Sequence, residues 1–130
     1  MGVGPDFDWV QARMKCSAVR VFGELKHSVE RDVITRNTGD HQQRVHFELT
    51  GDAPTFTVYR YLKGVPSSTC DPHSVSFSLG DDSICAKLSN GKELRASLTL
   101  NSQGHCVFKL DDQELEPWQF RMKALEQLFF

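Results

Sequence analysis

Short segments that alternate strictly between apolar and polar residues recur along this chain, and they constrain its fold more than any other feature. Such alternation is typical of strands that bury one face, because successive side chains of a strand point to opposite sides. In RVHFELT, Val45, Phe47 and Leu49 share one face, and His46 and Glu48 share the other. With less regular segments included, the pattern predicts eight strands, near residues 17–25, 29–36, 44–50, 55–62, 74–80, 83–88, 95–100 and 105–110.

Residues that favour turns separate these segments. Asn90 and Gly91 supply the positive φ angles that a type I′ hairpin requires. Pro66 and Pro72 lie in the polar segment GVPSSTCDPHS, which we therefore expect to form a loop outside any sheet. The chain has 130 residues, the length of one domain. We predict a single, mainly β domain over residues 1–130, folded as a β-sandwich or a barrel-like antiparallel sheet.

A short helix is predicted before the strands, at about residues 6–15. Asp6 is its predicted N-cap, since a side-chain carboxylate there can accept hydrogen bonds from the first turn. Trp9, Val10 and Met14 fall roughly on one side of this helix, which makes it amphipathic.

A second amphipathic helix is predicted at about residues 115–130, with Pro117 in its first turn. Its apolar stripe should close the sheet, while Phe120 and Phe130 fall off the stripe and are expected to be exposed. The predicted stripe consists of Leu115, Trp118, Met122, Leu125 and Phe129. The order of strands followed by one terminal helix resembles the pleckstrin-homology superfold in topology, and a resemblance of topology alone implies no function.

Composition excludes several classes of protein. The formal net charge of −2 does not favour nucleic acid or an anionic membrane as partner. No apolar run reaches the ~20 residues of a membrane-spanning helix. The first residues show no basic segment followed by an apolar one, so we expect an intracellular, cytoplasmic protein. Cys16, Cys70, Cys85 and Cys106 are then expected to be free thiols, because a core of this size needs no disulfide.

No group of residues predicts catalysis. Cys70, Asp71 and His73 are close in sequence, but members of a catalytic triad usually come from separate segments. Cys70 and His73 form one ligand pair, whereas a structural zinc site usually has two. The acidic pairs Asp81-Asp82 and Asp111-Asp112 lack the ligand order of a calcium loop. We therefore predict no enzyme activity, no metal site and no cofactor.

The function that the sequence favours is a non-enzymatic protein-interaction, adaptor or scaffold module. Exposed aromatic side chains are common anchors in protein interfaces. The predicted partner-binding residues are Phe120, Phe130, Tyr59 and Tyr61. We expect the partner to be another protein, and a second copy of this chain is one candidate.

Three alternatives depend on other segments. Tyr59 and Tyr61 alternate with cations in VYRYLKG, as in barrels that bind single-stranded nucleic acid by stacking its bases. Lys26, His27 and Arg31 lie in GELKHSVER, a predicted turn that offers cations to a phosphoinositide. The interior of a barrel can also hold a lipid or another small hydrophobic ligand.

Overall fold

The computed structural model describes residues 4–39, 45–62 and 73–130, which contain three helices and seven strands. The helices are α1 (Trp9–Lys15), α2 (Ala18–Thr38) and α3 (Pro117–Phe129). The strands are β1 (Val45–Asp52), β2 (Thr55–Leu62), β3 (Ser74–Leu79), β4 (Ser83–Leu88), β5 (Glu93–Leu100), β6 (Cys106–Leu110) and β7 (Gln113–Leu115).

All seven strands belong to one antiparallel sheet, in which each strand pairs with its neighbours in the sequence. The mainly β prediction with a helix at its C-terminal end is therefore confirmed. The described strands form a single open sheet and not a closed barrel, with β1 and β7 at its two edges. Strands β1 to β6 match six of the predicted segments. Of the described strands, only the three-residue β7 was not predicted from the alternation.

The predicted strands at 17–25 and 29–36 are wrong, because both segments belong to the 21-residue helix α2. The Ser17 side chain caps this helix by accepting a hydrogen bond from the Arg20 N–H. The buried residues of α2 follow a helical and not a two-residue spacing: Ala18, Val21, Phe22, Leu25, Val29 and Val33. Valine favours strands as an isolated residue, but the burial of one helical stripe overrides that preference. In the described part of the chain no helix has both the length and the apolarity to cross a membrane.

Helices α2 and α3 pack on the same face of the sheet and form the core with it. The centre of the core is aromatic. Phe22 of α2 lies 5.2 Å from Phe56 of β2, measured between ring centroids, and Phe56 stacks on Phe77 of β3 at 4.9 Å. The opposite face of the sheet carries polar side chains and is not covered by α2 or α3, and hydroxyl pairs such as Thr57 and Ser76, 2.9 Å apart, line it.

Helix α1 begins later than predicted, and its N-cap is Asp8 instead of Asp6. The Asp8 carboxylate accepts a hydrogen bond from the Gln11 N–H at 3.0 Å, which fixes the first turn two residues further along. None of the seven residues of α1, all of which the structure describes, is buried.

A disulfide joins Cys16, directly after α1, to Cys106 at the start of β6. The expectation of free thiols is therefore wrong for these two residues, because folding brings together positions that are 90 residues apart in sequence. Cys85 is free, as predicted, and Cys70 lies outside the described residues.

Helix α2 lies alongside β1 and is attached to it at two points. The Phe47 N–H donates to Asn37 Oδ1, and Asn37 Nδ2 donates to the Phe47 carbonyl, both at 2.9 Å. At the other end of β1, Lys26 Nζ lies 3.3 Å from Asp52 Oδ1. The N–H of Ala53 and then the Lys26 ammonium hold the pKa of the Asp52 carboxyl below its ordinary value.

Candidate functional site

Helix α3 packs on the sheet with a different face from the one predicted. Its buried residues are Phe120, Ala124, Leu125, Leu128 and Phe129. Trp118 and Met122 of the predicted stripe are instead 51% and 44% exposed. The buried face is thus rotated by roughly a quarter turn from the prediction.

Phe120 is the clearest correction among the predicted binding residues. Its side chain is 0% exposed and stacks on Phe108 of β6, with 4.6 Å between ring centroids. The fully buried Ala124, one turn further along α3, lets the helix come close to the sheet on this side. The expected exposure of Phe120 is therefore wrong, and in the folded chain its ring has no surface to offer a partner.

Tyr59 and Tyr61 share one face of β2, as predicted, and their ring centroids are 6.1 Å apart. This is the polar face of the sheet, on the side away from α2 and α3. The structure therefore does not bring the two tyrosines together with Phe130, which lies beside Arg36 of α2. They form a separate surface.

On the described strands, the face around the tyrosines lacks the positive charge that a nucleic-acid strand would need. Cations and acids alternate across the described strands and cancel in charge. The strand register places on this face Lys87, Arg95, Lys109, Glu48, Glu93 and Glu114.

The predicted turn with Lys26, His27 and Arg31 is wrong, because all three residues lie within α2. Lys26 pairs with Asp52 and does not face an open site. His27 and Arg31 line a surface depression together with Arg20 and the acidic Glu24, which lies 3.9 Å from Arg20. Lys26 is therefore separated from the other two predicted cations, and an acidic side chain lies among the cations of the depression.

The most distinctive surface feature is a groove between α2 and α3, with a cavity volume of about 400 Å³. Its rim carries Trp118, Met122 and Phe130, and the last of these is 88% exposed, in agreement with the prediction for that residue. Its floor consists of Leu125 and Phe129, which are buried. We call this feature the α2–α3 groove. On the α2 side it is lined by Asp32, Thr35 and Arg36.

An ion pair connects the two walls of the α2–α3 groove. Arg121 Nε of α3 donates to Asp32 Oδ2 of α2 at 2.7 Å, and both side chains are partly buried. A charge-assisted hydrogen bond of this length fixes the distance between the helices at this point. The groove is therefore preformed in the folded chain.

Arg36 of α2 organises one end of the groove. Its guanidinium carbon lies 5.3 Å from the ring centroid of Phe47 and 4.9 Å from that of Phe130. Its Nε donates to the Phe129 carbonyl at 2.8 Å. Arg36 thus holds Phe130 at the rim by a cation–π contact and a hydrogen bond to the preceding residue.

Trp118 is positioned by the cap of its own helix. Glu116 is the N-cap of α3, and its backbone N–H donates to Gln119 Oε1 at 2.8 Å. The Glu116 carboxylate also accepts the indole Nε1–H of Trp118 at 2.7 Å. The polar edge of the indole therefore has its partner, and the exposed remainder of the ring is apolar.

No cluster of three or more His, Cys, Asp or Glu side chains able to hold a metal ion occurs among the described residues. Cys70 and Asp71 lie outside the described ranges, whereas His73 lies at their border beside β3. The absence of enzyme activity and of a metal site accordingly stays a prediction.

Comparison of the chain with protein-family models, with curated proteins and with solved structures finds no match.

Reasoning from sequence found Phe130 but missed the groove around it. Asp32 and Arg36 were assigned to a strand, and Trp118 and Met122 were assigned to the core. One signal was available in the sequence: Phe120, Ala124 and Leu128 recur every fourth residue and form a second apolar stripe. A helix with two apolar stripes buries one of them against the sheet, and the other is then available to a different surface.

Proposed function

We propose that this chain is a non-enzymatic protein-interaction module that binds its partner in the α2–α3 groove. The observation that carries the proposal is that three exposed apolar residues line one cavity. They are Trp118, Met122 and Phe130, which are 51%, 44% and 88% exposed, respectively. Exposed apolar clusters of this kind mark binding surfaces, because burying them on a partner is favourable.

The chemistry of the rim supports a protein as partner. Tryptophan and methionine are enriched in protein interfaces, and tryptophan is the residue type that most often dominates their binding energy. Two contacts restrict the rim before binding, since Trp118 donates a hydrogen bond to Glu116 and the ring of Phe130 lies against the guanidinium of Arg36. Preorganisation of this kind favours affinity.

A second candidate is the binding of a small hydrophobic ligand in the same groove. The cavity volume of about 400 Å³ lies within the range of small-molecule pockets. The inner face of the sheet is filled by Phe56, Phe77 and Phe108, which are fully buried, so a carried ligand would occupy the groove and not the interior.

The test compares two double variants that remove the same residue types. Trp118→Ala with Met122→Ala empties the groove rim. Trp9→Ala with Met14→Ala removes side chains of α1 that are 64% and 70% exposed and lie outside the groove. Proteins captured from a lysate by each variant and by the wild type are then quantified by mass spectrometry.

The proposal expects a partner that the wild type and the α1 variant both retain and that the groove variant loses. Equal capture by all three proteins contradicts it. Native mass spectrometry of the purified chain tests the second candidate function. A lipid that is bound to the wild type and absent from the groove variant would assign the groove to a small ligand instead of a protein.

The cellular compartment is a separate question. The sequence predicted a cytoplasmic protein, but a disulfide that links segments 90 residues apart favours an oxidising compartment. From this pairing we infer that the chain functions where its cysteines stay oxidised. Alkylation of thiols in the protein taken directly from its native cells should leave Cys16 and Cys106 unmodified, and modification of both contradicts the inference.

A further inference from the structure

We propose that the partner segment that enters the α2–α3 groove carries an acidic side chain next to a bulky apolar one, and that Arg36 binds the carboxylate. This inference rests on the proposed function, because it names the chemistry of the partner at the same site. It depends on how the guanidinium of Arg36 is surrounded and on which groove charges are already neutralised.

Among the described residues, the geometry around Arg36 leaves one direction for a ligand. The rings of Phe47 and Phe130 contact the guanidinium, and Nε is occupied by the Phe129 carbonyl. No described residue accepts a hydrogen bond from its two terminal nitrogens. These nitrogens present parallel N–H groups in the plane of the guanidinium, which is the geometry that a carboxylate matches with both oxygens.

The charges of the groove point in the same direction. Arg121 is neutralised by Asp32 at 2.7 Å, whereas no described acidic side chain lies within ion-pair distance of Arg36. Arg36 is also partly buried, so water screens its charge less than at an open surface. Glu126, on the α3 wall, carries the opposite charge and disfavours a segment with several acids. A single acidic residue that faces α2 fits both walls.

The shape of the groove favours a peptide over a fatty acid, although both offer a carboxylate with an apolar group. A small ligand is usually enclosed over most of its surface. Here the rim residues are themselves between 44% and 88% exposed, so a long alkyl chain would remain largely in water. A peptide side chain needs only the floor of Leu125 and Phe129, while its backbone stays at the surface.

The experiment begins with a random linear peptide library displayed on phage. The library is first depleted on the Trp118→Ala and Met122→Ala variant and then selected on the wild-type chain. We expect the selected peptides to share an Asp or Glu within a few residues of a Trp, Phe, Leu or Met. In a synthetic copy of one of them, replacement of that acid by its amide should weaken binding about tenfold or more.

Affinity is read from the fluorescence of Trp118 in a Trp9→Phe background, where Trp118 is the remaining one of the two tryptophans. The Arg36→Gln variant should bind the acidic and amide peptides equally, which places the acid against Arg36. Arg31→Gln, which removes an exposed cation of the same helix outside the groove, should keep the tenfold difference. If Arg36→Gln does not fold, Arg36→Lys, which keeps the charge but lacks the paired terminal N–H groups, replaces it and should reduce the tenfold difference.

Two results overturn this inference in distinguishable ways. Peptides that need Trp118 and Met122 but bind equally as acid and amide refute the role of Arg36 and leave the proposed function standing. Failure to select any groove-dependent peptide, together with quenching of Trp118 by sodium dodecanoate, refutes both and assigns the groove to a small amphiphile.

Discussion

The first and last helices of the described chain, α1 and α3, are both amphipathic in sequence, yet they are attached to the sheet in opposite ways. Helix α3 buries five of its residues against the sheet and α2. Helix α1 buries none, and the chain directly after it is held by the disulfide between Cys16 and Cys106. Apolar content therefore does not decide whether a helix belongs to the core.

The spacing and number of apolar residues explain this difference. Helix α3 has 13 residues, and Phe120, Ala124 and Leu128 recur every fourth position on one continuous stripe. Helix α1 has only seven residues, too few to be stable as an isolated helix. The cross-link replaces the buried stripe that α1 lacks.

The largest effect is expected for the packed helix. Phe120→Ala removes a fully buried ring that stacks on Phe108, and the free energy of unfolding should fall by about 3–5 kcal/mol. Urea unfolding followed by circular dichroism measures this loss. Trp118→Ala, on the groove side of the same helix, is the matched control and should change stability far less. Equal losses for the two variants would show that α3 does not have one buried and one open face.

The second effect tests the cross-linked helix. Cys16→Ala with Cys106→Ala opens a loop of 90 residues and should lower the free energy of unfolding by about 2–4 kcal/mol. Alanine is preferred to serine because Cys16 is completely buried. Limited proteolysis should then cut near α1 while α3 stays protected. Cys85→Ala, which removes a free thiol, serves as the control, and an unchanged rate of cleavage near α1 would contradict the assigned role of the disulfide.

A smaller effect is expected where α3 meets α2 at the groove. Asp32→Asn with Arg121→Gln should cost about 1 kcal/mol, since the pair is partly buried but not isolated from water. A double-mutant cycle from urea titrations isolates the pairwise contribution, which should decrease as salt increases. A coupling free energy of zero would mean that packing alone positions α3.

The smallest effect should come from the exposed side chains of α1. Trp9→Ala and Met14→Ala each remove a large side chain that has little contact with the core, so stability should change by less than about 0.5 kcal/mol. Thermal unfolding of each variant checks this. A decrease comparable to that of Phe120→Ala would show that α1 is packed and that its comparison with α3 is invalid.

The strands could be predicted from the sequence because their information is local. In β1, β3 and β5 the alternation itself states which residues face the core. Over a few residues the valines of α2 fit a strand pattern and a helix pattern equally well. Only the stripe from Val21 to Val33 distinguishes the helix from the strand. Long-range packing on the sheet therefore decides between a helix and two strands in this segment.

The candidate site was harder to predict than the fold. Which stripe of α3 is buried depends on the ring of Phe108, which lies on a strand and does not appear in the pattern of the helix itself. The groove also requires Asp32 and Arg36 to be helical and adjacent to α3. Phe130 was predicted correctly because its position off the stripe is a local property.

The two hydrogen bonds between the Asn37 side chain and the Phe47 backbone also affect the edge of the sheet. A second copy of the chain aligned beside β1 would need the same N–H and carbonyl that this amide already holds. Uncovered outer strands act as templates on which identical molecules add one after another and grow into fibrils. Here each added copy would first have to displace the Asn37 side chain from Phe47, so one residue of a helix hinders growth through the first strand.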